Sequence, residues 1–124
     1  NARELALALS KVISEYQMDD CCIVSSFYPS GLREIGIAAP RVPTALIYSE
    51  RLVKEHKIQH FFARLFSAPT VLKPEWTIME DSLRHLRRLI PWTVNDTEEA
   101  KRLLKLGAVG IISNHPTPLL TEVY

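Results

Sequence analysis

The chain has 124 residues, 47% of them hydrophobic, with 15 Lys plus Arg against 14 Asp plus Glu and a formal net charge of +1. That length suits one domain of roughly 100–150 residues with its own buried core. The balanced charge leaves no basic excess to neutralise phosphates, so no nucleic-acid partner that binds by charge alone is expected. The apolar content also argues against a disordered chain.

No apolar run nears the roughly 18–20 residues of a membrane span. Helix-like sequence starts at Asn1, and no signal-peptide pattern precedes it. Cys21 and Cys22 are adjacent, a spacing that rarely forms a bridge, and they suit a reducing compartment. A cytoplasmic location is the expectation.

In chain order, two periodicities alternate. Leu5, Leu9, Val12 and Ile13, with Ala6 and Ala8, make a helical stripe that ends near Tyr16. After the polar turn 17–20, the continuous run Cys21-Cys22-Ile23-Val24 reads as a strand buried on both faces, ending in Ser25-Ser26-Phe27. Pro29 opens a helix with Leu32, Ile35 and 37–39 turned inward, and Thr44 to Tyr48 is a second strand. Ser49 can cap a helix from Glu50 to about Phe66, with Leu52, Val53, Ile58, Phe61, Phe62 and Leu65 as its apolar set.

A third strand is expected between Pro69 and Pro74, a helix over Thr77 to Arg87, and a fourth strand over Leu89 to Asn95. Asp96 with Glu99 reads as a capping box, and the helix it starts stops at Gly107. Val109 to Ser113 reads as a fifth strand, and Leu119 to Tyr124 as one last helical turn. Strand and helix alternating about five times is the pattern of an α/β fold with a parallel sheet.

In such folds functional groups gather where strands end and loops begin. That selects Ser25-Ser26-Phe27-Tyr28, Tyr48-Ser49, Lys73-Pro74-Glu75-Trp76, Trp92-Thr93-Val94-Asn95 and Ser113-Asn114-His115. Trp92 offers a flat apolar wall with one N–H donor, and Asn95 offers both a donor and an acceptor. The glycines at 107 and 110, ahead of Ser113-Asn114, could present backbone N–H groups to a phosphate, although Gly107 is also the ordinary helix-stop residue. His56 and His60 stand four apart, but they and His85 fall mid-helix and read as solvated positions. His115 alone follows a strand end, with no carboxylate near it in sequence; Glu75 reads as a surface residue. The strand ends therefore offer plausible pocket walls and few catalytic groups.

Three stretches recur together in one family. They are Ser25-Ser26-Phe27 before a proline and a helix, Trp92-Thr93-Val94-Asn95-Asp96 before an acidic helix start, and the run 107–116 from Gly107 to Ser113-Asn114-His115-Pro116. In order and spacing, from about Asn1 to Leu120, the chain resembles the C-terminal half of glycerophosphodiester phosphodiesterases. The resemblance implies a partial TIM (βα) barrel of about five βα units, the fourth to eighth strands, with residues 1–124 as the C-terminal part of the domain. It implies hydrolysis of glycerophosphodiesters to glycerol 3-phosphate and an alcohol with a divalent cation, Ca²⁺ or Mg²⁺. That family's His-Arg-Gly, Glu-x-Asp, His-Asp and Glu-x-Lys motifs stand at none of these strand ends, so its catalytic histidines and cation ligands would lie outside this chain. By the same likeness Phe27 and Trp92 would line the glycerol side of the substrate site, and Asn95 would help fix the loop. Where the family usually ends its last strand with Thr-Asp-x-Pro, this chain has Ser113-Asn114-His115-Pro116, which keeps an acceptor and loses a charge.

Two functions compete. In one, the chain is the wall-forming half of a phosphodiesterase, inactive by itself. In the other, it is a non-catalytic half-barrel for binding or assembly. A TIM barrel typically takes about 250 residues, and about five of its eight units cannot close. The expected partners are therefore a small glycerophosphodiester and either the missing N-terminal half or a second copy of the chain.

Overall fold

The computed structural model describes residues 1–55, 62, 64–83 and 88–123. Helix α1 (Ala2–Glu15) opens on a reciprocal capping box. The Asn1 side chain accepts from the Glu4 amide, and the Glu4 carboxylate reaches back to the first residue. Its buried face is Ala6 and Ile13, with Leu9 half-buried, spaced one and two turns apart. Leu5 and Val12, expected in that stripe, lie exposed.

At the end of α1 the Gln17 amide donates to Ser14 and the Met18 amide to Ile13, the bond pair that closes a helix through a left-handed residue. Gln17 takes that conformation, at φ 53°. A second turn, from the Cys21 amide to Met18, then delays the strand. Strand β1 is Val24–Ser26, later than the expected 21–24. Cys21 is exposed, and Cys22 packs beside Ile13, Ala39 and Val42.

Helix α2 (Pro29–Ala38) starts on a proline, which loses nothing at a position without an intrahelical partner. It buries Leu32 and Ile35, while Ile37 stays exposed. Strand β2 (Thr44–Tyr48) matches its expected bounds, and α3 (Glu50–Glu55) follows it. Residues 64–67 are helical, but Phe62 and Leu65 are exposed rather than core. Ile58 and Phe61, and the histidines at 56, 60 and 85, lie outside the described residues.

Strand β3 (Val71–Pro74) leads into a 3-10 turn (Trp76–Ile78), α4 (Met79–Leu83) and a short β4 (Arg88–Leu89). The four strands form one parallel sheet in the order β1-β2-β3-β4. Leu46, Leu72 and Leu89 stand in register across its middle. Together with Met79, Val94, Ala100 and Leu103 they form the main core between sheet and helices.

The expected fourth and fifth strands are only partly regular. Chain 109–112 runs beside 89–94 through bonds from the Val109 amide to Leu89, the Ile112 amide to Pro91 and the Val94 amide to Ile112. In a parallel ladder, the bond Val109 makes to Leu89 is answered by the amide of residue 91. That residue is Pro91, which has no N–H, so the ladder breaks there.

Helix α5 (Thr97–Lys105) is capped as expected, since the Asp96 carboxylate accepts from the Glu99 amide at 2.8 Å. Glu99 does not reach back; it pairs with Arg102 instead. The helix ends through Gly107 at φ 106°, with the Ala108 amide on Leu103 and the Gly107 amide on Leu104. The last helix, α6 (Pro116–Val123), starts three residues earlier than expected.

The architecture is thus part of a barrel: an open parallel sheet with helices packed on one side. Strand β1 forms an edge, and Leu5, Val12 and Ile37 are exposed on α1 and α2. An open edge and exposed apolar side chains both favour association. Purified at micromolar concentration, the chain is expected to self-associate in analytical ultracentrifugation. A monomer with a single cooperative thermal transition would overturn that expectation.

Candidate functional site

The C-terminal ends of the strands bring together residues far apart in sequence. Phe27, just beyond β1, meets the ring of Trp92 edge to face, with centroids 5.8 Å apart and an interplanar angle of 89°. This geometry sets the positive ring edge against the negative face. Trp92 is held on both sides. Its backbone amide donates to Pro74, and its carbonyl accepts from the Trp76 amide. Its indole Nε1 donates to the Lys73 carbonyl at 2.9 Å. The Trp92–Thr93 peptide bond is cis.

Asn95 sits at the other side of the same segment. Its Oδ1 accepts from Ser113 Oγ at 3.1 Å and from the Asn114 amide at 3.0 Å. Ser113 Oγ in turn accepts from the His115 amide at 2.9 Å. These bonds tie the end of the 89–95 segment to the end of the 109–113 segment. They also occupy the amides of Asn114 and His115, two of the groups that a phosphate-binding loop would use. Pro116 and Pro118 bring no N–H to the first turn of α6. The backbone of this stretch is therefore committed to the fold. His115 and Asn114 are exposed.

Other strand-end residues have structural roles. Tyr48 is buried on the helix side, and its hydroxyl donates to Ser82 Oγ at 2.8 Å. Burial pushes its phenol pKa up. The Glu75 carboxylate accepts from the Glu50 amide at 2.9 Å and so caps α3 from outside the helix. Trp76 packs against the main core. A cleft of about 400 Å³ adjoins the Trp92 segment, lined by Trp76, Thr93, Val94, Asn95, Asp96 and Glu99. It shares Asn95 with the strand-end site but not Phe27 or Trp92.

Sequence reasoning gave no role to Lys73, although it placed the residue at a strand end. In the structure Lys73 Nζ donates to Ser25 Oγ at 2.7 Å, across 48 residues of sequence. Burial without a compensating charge holds its ammonium below the ordinary lysine pKa. The cue available in sequence was a charged residue between two apolar strand positions, Leu72 and Pro74.

Among the described residues, no three His, Cys, Asp or Glu side chains converge as they would on a metal ion. The carboxylates nearest the strand ends, Glu75 and Asp96, are each engaged with a backbone amide. No helix among the described residues is long and apolar enough to cross a membrane.

Comparison with known proteins agrees with this architecture. The model of the glycerophosphoryl diester phosphodiesterase family matches residues 1–117. A glycerophosphodiester phosphodiesterase of Caldanaerobacter subterraneus subsp. tengcongensis is 30% identical over 115 residues, 93% of this chain and 47% of that protein. Three solved structures share the fold. A putative glycerophosphoryl diester phosphodiesterase of Silicibacter pomeroyi superposes with a TM-score of 0.81 at 18% identity, over 98% of this chain and 44% of that one. An Oleispira antarctica phosphodiesterase, solved with the product sn-glycerol-3-phosphate, gives 0.78 at 16% identity, over 98% and 50%. A glycerophosphodiester phosphodiesterase of Parabacteroides distasonis gives 0.73 at 15% identity, over 97% and 50%. The chain spans about half the length of these relatives. With the family model covering residues 1–117, nearly the whole chain, the chain belongs to the glycerophosphoryl diester phosphodiesterase family.

Proposed function

We propose that residues 1–124 are the C-terminal part of a glycerophosphodiester phosphodiesterase barrel, and that they supply pocket walls to an active site completed by an N-terminal half that lies outside these residues. The whole enzyme hydrolyses glycerophosphodiesters to glycerol 3-phosphate and an alcohol. The observation that carries this reading is the Phe27–Trp92 pair at the strand ends, an apolar corner of two rings. A corner of this kind packs against the carbon face of a glycerol unit and leaves its hydroxyls and phosphate turned away. Asn95 keeps the rim of that corner in place by holding Ser113 and Asn114. The Oleispira relative's bound sn-glycerol-3-phosphate supports the assignment of the substrate class.

The divalent cation, Ca²⁺ or Mg²⁺, and the proton-transferring histidines belong to the other half in this reading. A cytoplasmic setting is in keeping with the two unbridged cysteines.

The test is complementation. The chain alone, given glycerophosphocholine or glycerophosphoethanolamine with Ca²⁺ or Mg²⁺, is expected to show no turnover. Mixed with a polypeptide carrying the His-Arg-Gly, Glu-x-Asp and Glu-x-Lys strands, it is expected to gain chelator-sensitive turnover. Turnover by the chain alone would show that catalytic groups lie within it. A well-folded mixture without turnover would favour the non-catalytic half-barrel, in line with the charge lost at Asn114.

A further inference from the structure

The inner face of the sheet carries a charge that the pocket walls do not account for. Ser25 stands beside Ala45, and Ala45 beside Val71. Side chains alternate along a strand, so Ser25, Ala45, Ile47, Val71 and Lys73 share one face. Leu46, Tyr48 and Leu72 share the other, which is the helix-packed core. Lys73 reaches across β2 to Ser25 on this inner face, where Ala45 has only a methyl group in the way.

Among the described residues no carboxylate pairs with the Lys73 ammonium; its one hydrogen bond is to the Ser25 hydroxyl. A half-buried cation without a counter-charge is unfavourable for folding. Such groups persist where function requires them. An ammonium already stripped of part of its water, and aimed by a fixed hydroxyl, binds an oxyanion with little reorganisation. Lys73 is also coupled to the aromatic corner, because its own carbonyl receives the Trp92 indole N–H.

The geometry points to Lys73, oriented by Ser25, as a substrate-contacting residue of this half: its ammonium takes a non-bridging phosphate oxygen of a glycerophosphoester that lies against Phe27 and Trp92. The inference rests on reading that corner as the glycerol side. It has a consequence for turnover. A phosphodiester carries one negative charge, whereas a phosphomonoester carries about −1.5 to −2 at neutral pH. Lys73 therefore retains the monoester product more strongly than it binds the diester, and it contributes to product inhibition.

The test uses the 124-residue chain with ¹³C-labelled lysine, assigned through K73R. The Lys73 Cε–Hε signal and the Trp92 indole N–H are followed while inorganic phosphate, then sn-glycerol 3-phosphate, is added. Both anions are expected to shift Lys73 saturably, and the glycerol ester to shift Trp92 as well. K73M is expected to weaken binding of the glycerol ester about tenfold or more, the usual size for loss of a charge-assisted bond. K73R is expected to restore most of it. Because K73M removes an uncompensated charge, its thermal midpoint is expected to stay level or rise, which a purely structural lysine would not give.

If the glycerol ester shifts Trp92 and neither anion shifts Lys73, the inference falls and the pocket reading stands. If both anions shift Lys73 and Trp92 is silent, the anion contact stands and the glycerol corner falls. Unchanged binding by a folded K73M, or a lowered midpoint with no rescue by K73R, overturns the inference. Should K73M fail to fold, the wild-type shifts decide.

Discussion

Trp92→Ala is expected to lower kcat/KM of the assembled barrel by about ten- to a hundredfold. The substitution removes two interactions at once. The edge-to-face contact with Phe27 is worth about 0.5–1.5 kcal/mol beyond the area it buries. The indole bond to the Lys73 carbonyl is worth about 0.5–1.5 kcal/mol net. Both hold the wall in place in the free chain. The loss in kcat/KM comes from the apolar ring face the glycerol carbons would lose, about 1.5–3 kcal/mol for a large buried side chain, and each 1.36 kcal/mol is roughly tenfold in rate. Trp92→Phe separates the two, since it keeps a ring for Phe27 and loses the N–H, and it is expected to recover about half of the loss in free energy. Steady-state kinetics on the complemented enzyme checks both variants. Kinetics unchanged from wild type in Trp92→Ala would take Trp92 out of the pocket.

Where sequence and structure agree, short-range chemistry is responsible. Asp96 caps α5 and Gly107 ends it because a side-chain acceptor three residues from an amide, and a residue free to adopt positive φ, act locally. Strand β2 keeps its expected bounds because TALIY lies between Pro43 and the helix-starting Ser49. The differences arise where a local signal is overruled by a neighbour. Cys21 and Cys22 have strand-like composition, but the closure of α1 through Gln17 runs on into a turn and moves β1 downstream. The 109–113 run is apolar enough for a strand, yet it meets a partner strand in which Pro91 cannot answer its bond. Phe27 and Trp92 were legible as separate strand-end aromatics, but not as a pair with a defined angle. The Lys73–Ser25 bond was not legible at all. It depends on a register that places two strands on either side of a small residue, and nothing in linear spacing reports that.

The largest loss of stability is expected from Leu72→Ala. Leu72 is fully buried in the middle strand pairing, in register with Leu46 on one side and Leu89 on the other. Three leucines in a row across β2, β3 and β4 form the floor on which the helices pack, with Met79 and Leu103 in the same core. Cutting one back to a methyl group opens a cavity in the centre of that row. Neither neighbour can close it, because each is fixed by its own strand pairing. Such truncations cost about 2–5 kcal/mol, and this site belongs in the upper half of the range. A domain's total stability is only about 5–15 kcal/mol. With β4 just two residues long, the sheet has little reserve on that side. Urea unfolding at a fixed protein concentration checks the prediction, because any self-association would make the midpoint concentration-dependent. Leu5→Ala is the control. Leu5 is 69% exposed, and its replacement is expected to change stability by less than about 0.5 kcal/mol. Equal losses in the two variants would mean that the leucine row does not anchor the sheet. The walls carrying Phe27, Trp92 and Lys73 would then be held by something other than the core beneath them.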